Sequence, residues 1–536
     1  PAIPLLKCDE ILMRQNKLGD PIDRRCGEIV RKIWFYMEQR AWTGVPSRIV
    51  ISQFPDYASY REKLENEFGV KGDLFTVYLK YPYKVEVETA AYIANLAKSE
   101  YDGKTIFGDP NFLRKNLSPD QKEAIAGALT NPVSIITGIG GTGKTSVIAE
   151  IIHNLELREI PYVVVSFTGK AVARIREVIQ RKHPSTMHRL IARAGSCPPF
   201  RHLIIDEASM ITTSLFHKFV RTFSEPYAIT FVGDCNQLQP IEWGALFEQL
   251  IATKRVPIYT LTTIHRIRGG EGDGIGINSR RIIEYGKPKE TDDDDEEYYN
   301  SDDENGGYRG PFDFTETANF TLTQGNREAV YDIVQALFKA GVNASQITIV
   351  TPYNREVDEL NQMFQQIFHD EKPFIVDPKG KIWKLGDRVM MLENNYDINV
   401  MNGEEGFITE IKEGEGIVVS FKDNATHLFH LFTDENEPSE DAKYERNLTV
   451  NMICHSYAIT IHRSQGSEWD FVILYIPATT TETSFLSRNM IYTAISRGKR
   501  AVWCVGDIDT LRTAAQRAPS YRCDNLAQRI TTLLPQ

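Results

Sequence analysis

No apolar run in the 536 residues approaches the ~18 needed to cross a membrane, and no charged-then-apolar leader opens the chain. The expectation is a soluble, intracellular protein. No CxxC pair occurs either. The seven cysteines (Cys8, Cys26, Cys197, Cys235, Cys454, Cys504 and Cys523) are scattered, so no spacing suits structural zinc or a redox couple, and they read as reduced, mostly buried thiols. No internal repeat is found. A basic excess is also missing: the net charge is -11, which on its face argues against a nucleic-acid partner.

That acidity is local. Thr291 to Gly307, "TDDDDEEYYNSDDENGG", holds nine carboxylates and no Lys or Arg, leaving about -2 for everything else. Such a run has too little apolar surface to offset its ordering entropy and reads as a disordered surface loop. A sharper reading makes it a mimic of nucleic acid that competes for a basic groove. Elsewhere the composition, 42% hydrophobic and 25% charged, is that of a folded globular chain, and its length calls for several domains.

Residues 1–112 carry no catalytic signature. Val30, Ile33, Trp34 and Met37 fall on one helical face. "FPDYASYREKLENEFGV" starts with Pro55 and stops at Gly69 like a capped helix, and "DLFTVYLKYP" alternates Phe75, Val77 and Leu79 like a half-buried strand. The pattern suggests a helical, winged-helix-like module. Over 113–268 short β-branched strands ("VSIIT", "YVVVSF", "HLIID", "AITFVG") alternate with helices, the signature of a parallel α/β sheet. The acidic loop occupies 269–310. A second α/β unit follows over 311–408 and 451–536, with "ITIVTPYN", "FVILYIP" and "AVWCVGD" as strands. Between them 409–450 alternates with Gly-rich turns and reads as a small antiparallel insert.

"GIGGTGKT" (Gly138, Ile139, Gly140, Gly141, Thr142, Gly143, Lys144, Thr145) lies between a strand and a helix, the context a phosphate loop requires. Its glycines let backbone N–H groups wrap phosphates at a helix N-terminus, Lys144 meets the β and γ phosphates, and Thr145 meets Mg²⁺. About sixty residues on, "HLIIDEASM" brings Asp206 and Glu207 off a buried strand. An Asp there can hold Mg²⁺, and the adjacent Glu can polarise the water that attacks ATP. Gln237 in "FVGDCNQLQP" is placed to sense the γ phosphate and Gln121 in "LSPDQKEAI" to read adenine. Arg266 in "LTTIHRI" and Arg497 in "YTAISRGKR" are candidates to stabilise phosphoryl charge across a cleft.

The ordered set "GIGGTGKT", "SFTGKAVARI", "STMHRLI", "LIIDEASM", "GDCNQLQP", "LTTIHRI", "TIHRSQGSEWD" and "YTAISRGK" resembles the 5′-to-3′ branch of superfamily 1 helicases, RecD-like DNA helicases in particular. "KLGDRVMMLENNYDINVMNGEEGFI" is similar to the RecD-type entry into an SH3-like insert. The resemblance implies two RecA-like domains, ATP between them and single-stranded DNA across their top. It places Thr168, Gly169, Lys170, Thr186 and His188 of the first domain, and Thr460 and His462 of the second, against the strand, with Gln465, Gly466 and Glu468 nearer ATP. Phosphate-directed contacts position a strand without reading its sequence.

Two departures stand out. Gln239-Pro240 replaces the family's usual Pro-Pro, and "ARAGSCPPFRH" (Ala192 to His202) is shorter than the strand-splitting hairpin usual there, so translocation is better supported than unwinding. The leading reading is an ATP- and Mg²⁺-dependent 5′-to-3′ translocase or helicase acting on single-stranded DNA and duplex junctions. The same machine on RNA remains open, as does a nucleotide-gated single-strand DNA-binding remodeller without processive unwinding. Protein partners would be met through the N-terminal module or the acidic loop; no membrane partner is expected.

Overall fold

Val133–Gly138, Tyr162–Ser166 and His202–Asp206 are apolar on every side, so as strands they need cover on both faces. The computed structural model describes residues 21–534 apart from 115, 179–183, 224–225, 227, 264, 266–272, 286–311, 370, 396, 399, 422–424, 432–447, 479–482 and 484. In it these runs join a six-stranded, wholly parallel sheet. The strand order is Ser185–Thr186, Tyr162–Ser166, His202–Asp206, Ala228–Gly233, Val133–Gly138, Ile258–Leu261. Side chains alternate faces along each strand, and two separate cores result. Ile135, Val165, Leu203, Ile205 and Phe231 pack on one face with Phe216 and Phe219. Ile136, Val164, Ile204 and Val232 pack on the other with Val147, Ile148 and Ile151 of the helix Lys144–Leu157.

A second parallel sheet follows the same logic, with the order Phe320–Gln324, Gly498–Gly506, Trp469–Ile476, Ile347–Thr351, Ala458–Thr460. Val472 and Leu474 face one core and Ile473 and Tyr475 the other. The two sheets are the α/β domains that the alternation predicts.

The antiparallel insert is wider than 409–450. Its five strands, in the order Thr426–His430, Gly416–Phe421, Glu405–Lys412, Arg388–Met391, Ile453–His455, begin at 388 and end at 455. Arg388, fully buried, joins it to the second sheet: Nε donates to Ser456 O (3.1 Å), and Nη1 donates to Ala344 O and Ile347 O (both 2.9 Å). Backbone carbonyls rather than a carboxylate satisfy this guanidinium, as a buried fork of donors demands.

The N-terminal part has helices Pro21–Arg40, Ser47–Gln53 and Tyr57–Glu67 around a three-stranded antiparallel sheet ordered Val45–Pro46, Thr76–Leu79, Val70–Asp73, followed by the helix Lys80–Ala97. The first helix buries Cys26, Ile29, Ile33 and Met37, so its apolar face is turned slightly from the expected one; Val30 and Trp34 flank it. The predicted alternation of Phe75, Val77 and Leu79 gives way to continuous burial at the start of the strand. Phe75 sits in a turn at φ +59° and is 92% exposed, while Thr76, Val77 and Tyr78 are buried. The tight turn consumes Leu74 and Phe75, and the strand starts after it.

The end of the chain returns to its beginning. The helix Leu526–Leu533 packs between Lys80–Ala97 and Leu246–Thr253. Ahead of it Trp42 Nε1 donates to Tyr521 O (2.8 Å), Arg522 to Pro240 O and Glu242 O, and Asp524 accepts from the N–H groups of Thr43 and Ala245. Arg529 pairs with Asp73 (2.6 Å) and Glu86 (2.9 Å). Residues 521–529 thereby bind the N-terminal module to the first domain. Among the described residues, no helix is long and apolar enough to cross a membrane, and the six described cysteines form no disulfide with one another.

Candidate nucleotide cleft and strand-contacting face

In an open parallel sheet, ligands collect where the carboxyl ends of the strands meet a change in strand order. The first sheet has such a place: the chain passes from Val133–Gly138 over two strand positions to Tyr162–Ser166. The phosphate loop leaves that strand end. Gly141 and Gly143 take φ of +88° and +80°, a conformation glycine adopts without strain, and the helix Lys144–Leu157 begins directly after. Lys144, only 9% exposed, donates to Gly138 O (2.6 Å) and Ile139 O (3.1 Å), bridging its own loop where a phosphate would sit. Thr142 Oγ1 donates to Ile139 O (2.8 Å), Gly141 O accepts from His265 N (3.0 Å), and Thr145 is half-buried at the first turn of the helix.

Asp206 and Glu207 end the neighbouring strand but one. Both are buried, and Glu207 lies at φ +51°, outside ordinary strand or helix geometry. Asp206 Oδ2, Glu207 Oε2 and Gln237 Oε1 are buried without a protein hydrogen-bond partner among the described residues. Unpaired buried polar atoms are costly, so three at one strand-end crevice indicate a polar ligand. Burial, reinforced by the Glu207 charge, raises the pKa of the Asp206 carboxyl. Among the described residues no cluster of three His, Cys, Asp or Glu side chains could hold a metal. The unpaired buried oxygen of Asp206 is a hard donor of the kind that a cation such as Mg²⁺ takes.

The second domain closes the crevice from the other side. Tyr492, in the helix Arg488–Ile495, donates to Asp234 Oδ2 (2.5 Å) and accepts from Gly140 N (3.3 Å). Thr493 Oγ1 accepts from Leu238 N (3.0 Å), Asn489 Nδ2 donates to Gln237 O (3.2 Å), and Gln465 Nε2 donates to Leu238 O (2.9 Å). Arg497 follows that helix and is 4% exposed. Its donors go to Thr493 O (2.9 Å), Ser467 O (3.2 Å) and Ser496 Oγ (3.0 Å), with no ion pair to a described carboxylate. A buried cation held by neutral oxygens keeps its charge available to an anion. Gly466 takes φ +71° and has no room for a side chain, since a Cβ would come 2.7 Å from Thr168 Oγ1. Glu468 meets two cations, Arg174 (3.5 Å) and Lys499 (3.9 Å).

Two expectations meet a different geometry. Gln121 is 2% exposed, and its amide is already engaged: Oε1 accepts from Ser118 N (3.1 Å) in a capping box, and Nε2 donates to Thr142 O (3.0 Å). It supports the phosphate loop rather than facing open space. Lys170 forms an ion pair with Glu405 of the insert (3.0 Å) and lies 4.8 Å over the Trp469 ring. Burial, partly offset by Glu405, lowers its pKa. The candidate Arg266 and the acidic segment Thr291 to Gly307 fall outside the described residues.

The other strand-contacting candidates share a local device. The hydroxyls of Thr168, Thr186 and Thr460 accept from the backbone N–H of Ala171 (3.2 Å), Arg189 (3.2 Å) and Arg463 (3.3 Å), three residues on in each case. A hydroxyl that accepts still has its own hydrogen to donate. Gly169 starts the helix Gly169–Val178 and lies against Met401 of the insert. His188 packs edge-on to Phe167 (5.7 Å), with Nδ1 buried and unpartnered among the described residues. Burial lowers the pKa of both His188 and His462, and the nearby Arg522 lowers that of His462 further. Both are therefore neutral near pH 7. Between Met187–Ala192 and His202 the chain makes only a short 3₁₀ turn at Ala194–Ser196.

The sequence motifs missed two elements of this site. Arg174, reaching Glu207 and Glu468, looks like one more charge on a solvated helix. Arg522, on the carbonyls of Pro240 and Glu242, stands in a stretch with no periodicity.

Three family models match the chain. Residues 116–275 match an AAA domain, 360–421 an ATP-dependent RecD-like DNA helicase SH3 domain, and 455–505 a UvrD-like helicase C-terminal domain. An ATP-dependent RecD2 DNA helicase of Deinococcus radiodurans is 25% identical over 473 residues, covering 85% of this chain and 58% of that protein. The RecBCD enzyme subunit RecD of Mycolicibacterium smegmatis is 24% identical over 457 residues, covering 77% of this chain and 74% of that one. A Bacteroides Pif1 bound to ssDNA superposes with a TM-score of 0.46 at 18% identity, covering 76% of this chain and 95% of that one. The chain thus spans little more than half of the Deinococcus relative's length. These matches bear out the likeness to RecD-like superfamily 1 helicases drawn from the order of the motifs.

Proposed function

We propose that this chain is an ATP-driven motor that moves 5′ to 3′ along single-stranded DNA and opens duplex junctions ahead of it. The observation that carries the reading is the cleft itself: the phosphate loop, a buried Asp-Glu pair with unpaired oxygens, and an arginine without a described acidic partner meet between two α/β domains. Lys144 would leave the Gly138 and Ile139 carbonyls for the β and γ phosphates. Thr145 and Asp206 are suited to hold Mg²⁺, which when bound neutralises charge on those phosphates. Glu207 would orient a water whose oxygen attacks the γ phosphorus and accept its proton, as the bond to the bridging oxygen breaks and ADP departs with the electron pair. Arg497 would stabilise the charge that develops. Gln237 would report the state of the γ phosphate to Leu238 and so to Gln465 and Thr493.

Thr168, Thr186 and Thr460 have hydroxyl hydrogens to give to phosphate oxygens, and neutral His188 and His462 can donate or accept beside them. Affinity for the strand should therefore be weakly dependent on sequence and should fall with salt. The brief turn at Ala194–Ser196 favours a second reading, a nucleotide-gated remodeller that translocates or clamps without processive unwinding.

One experiment separates these readings: ATP hydrolysis measured with single-stranded DNA and with RNA, alongside unwinding of 5′-tailed and 3′-tailed duplexes. Stimulation by DNA and opening of the 5′-tailed substrate is the expected result. Opening from 3′ tails alone overturns the polarity, stimulation by RNA alone overturns the DNA assignment, and stimulation without opening selects the remodeller.

A further inference from the structure

Arg174 stands on the helix Gly169–Val178, where the motif reading gives it no task. Its side chain spans the cleft. Nη2 lies 3.9 Å from Glu207 Oε1 of the first domain, and Nη1 lies 3.5 Å from Glu468 Oε1 of the second. The field of Asp206 reaches it as well, and its Nε is buried without a protein partner among the described residues. Among those residues Glu207 has no other ion pair. One planar guanidinium therefore connects the carboxylate best placed to face the attacking water with a carboxylate on the opposing domain.

The geometry suits a shared cation better than a fixed structural pair. A guanidinium offers donors on two edges, so it can serve two carboxylates at once where an ammonium serves one. The closer of its two contacts is the one across the cleft. If the domains part, Glu468 withdraws with the strand Trp469–Ile476, and Glu207 becomes the nearer partner. If they close, Glu468 competes for the guanidinium, and Glu207 Oε2, already without a partner, is free to take a water.

We propose that Arg174 is a positioning residue: it orients the Glu207 carboxylate and, through Glu468, makes that orientation depend on closure of the cleft. The proposal rests on the reading of the cleft as an ATPase site. It gives the first domain a cation with a role distinct from that of Arg497, which faces the nucleotide from the other side. Arg174 need not touch ATP; it acts through Glu207.

The test uses the full chain, with steady-state ATP hydrolysis in the presence of single-stranded DNA and direct binding of a fluorescent ATP analogue. Arg174→Ala should lower kcat roughly ten- to a hundredfold, the range for losing a charged group that positions a reacting carboxylate, while the analogue's Kd changes by less than about threefold. Arg174→Lys should recover part of the loss, because an ammonium reaches one carboxylate. Glu468→Gln should lower kcat less, and the Arg174→Ala/Glu468→Gln double variant should behave like Arg174→Ala alone, since both changes break one linkage.

A kcat within about twofold of the unmodified chain for Arg174→Ala, or equal losses in kcat and Kd, overturns the proposal. Multiplied losses in the double variant overturn the route through Glu468. If Arg174→Ala does not fold, as read from its thermal unfolding, Arg174→Lys and Arg174→Lys/Glu468→Gln decide by the same criterion. Lys144→Ala separates the two levels of inference. Hydrolysis that survives it removes the ATPase reading, whereas hydrolysis lost with Lys144→Ala and kept with Arg174→Ala removes the role of Arg174 alone.

Discussion

The phenol of Tyr492 donates across the cleft to the carboxylate of Asp234 at 2.5 Å. The same oxygen accepts from Gly140 N in the phosphate loop (3.3 Å), and burial together with the Asp234 charge keeps the phenol protonated. One hydroxyl thereby joins a strand end, the nucleotide loop and the helix that leads to Arg497. In Tyr492→Phe, Asp234 keeps its bonds from Asn236 but loses this donor while remaining buried. Thermal unfolding should show a loss of about 1–3 kcal/mol, and DNA-stimulated hydrolysis should fall more than basal hydrolysis. Unchanged values in both assays would make the contact incidental.

At the nucleotide, three substitutions should give three different signatures. Lys144→Ala should abolish turnover. Glu207→Gln should bind ATP normally and fail to hydrolyse it, as equilibrium binding beside single-turnover kinetics would reveal. Arg497→Ala should reduce kcat by roughly 10³-fold or more, the scale reported for arginines that face a transferring phosphoryl group, with a smaller effect on affinity. Wild-type hydrolysis in Glu207→Gln would remove the water-activating role from that residue.

His462 offers a test of coupling. It is half-buried beside the capped hydroxyl of Thr460, just before Gln465 and Gly466 turn toward the cleft. His462→Ala should weaken DNA-stimulated turnover more than basal turnover; equal losses would favour a structural turn. Because its folded pKa lies below the usual histidine value, the ring is neutral above pH ~6.5, so strand affinity should not fall as pH rises from there to ~8. A steep fall would mean that a protonated ring makes the contact.

Where the chain's end meets its beginning, stability should depend on pH. Burial raises the Glu248 carboxyl to about 7, with Asp524 adding to the shift and Arg522 opposing it. Both Glu248 oxygens are buried and unpartnered among the described residues. Asp524 is raised to about 6 by burial, with Glu86 adding and Arg522 opposing. Both folded values lie above the unfolded ones near ~4, so the folded state holds more protons. Their stabilisation is complete below about pH 4 and is lost as pH rises through about 6 to 7. The unfolding midpoint should fall over that window, and Glu248→Gln should flatten the fall. A Glu248→Gln profile identical to that of the unmodified chain would exclude this origin.

Strands and phosphate loop were legible because their causes are local. Val133–Gly138 is β-branched and apolar, and the glycines, lysine and threonine that follow it have one common use. Lys170 was misleading for the opposite reason. Its partner Glu405 lies 235 positions away, and no pattern in "SFTGKA" reports that an insert will fold over it. Gln121 reads as an amide placed for adenine, yet the Ser118 cap and the Thr142 carbonyl hold it inside. Phe75 obeyed its turn instead of the alternation around it. "RAPSYRCDN" has neither periodicity nor a motif, and its bonds reach Trp42, Thr43, Pro240, Glu242 and Ala245. Such contacts depend on the finished fold, and a linear reading finds charges and loops in their place.

The return of residues 521–529 to the N-terminal module has a mechanical consequence. The second domain leaves the first along the chain after Leu261 and comes back to it at Tyr521, so it is held by two strands of polypeptide instead of one. A body on one tether can swing and twist about many axes. With two anchor points it turns mainly about the line that joins them, as a door does on a pair of hinges. If the cleft hydrolyses ATP as proposed, each cycle would be directed into a single repeatable stroke, and cutting the chain near Arg517 would leave the proposed catalytic groups intact while letting the stroke lose its direction.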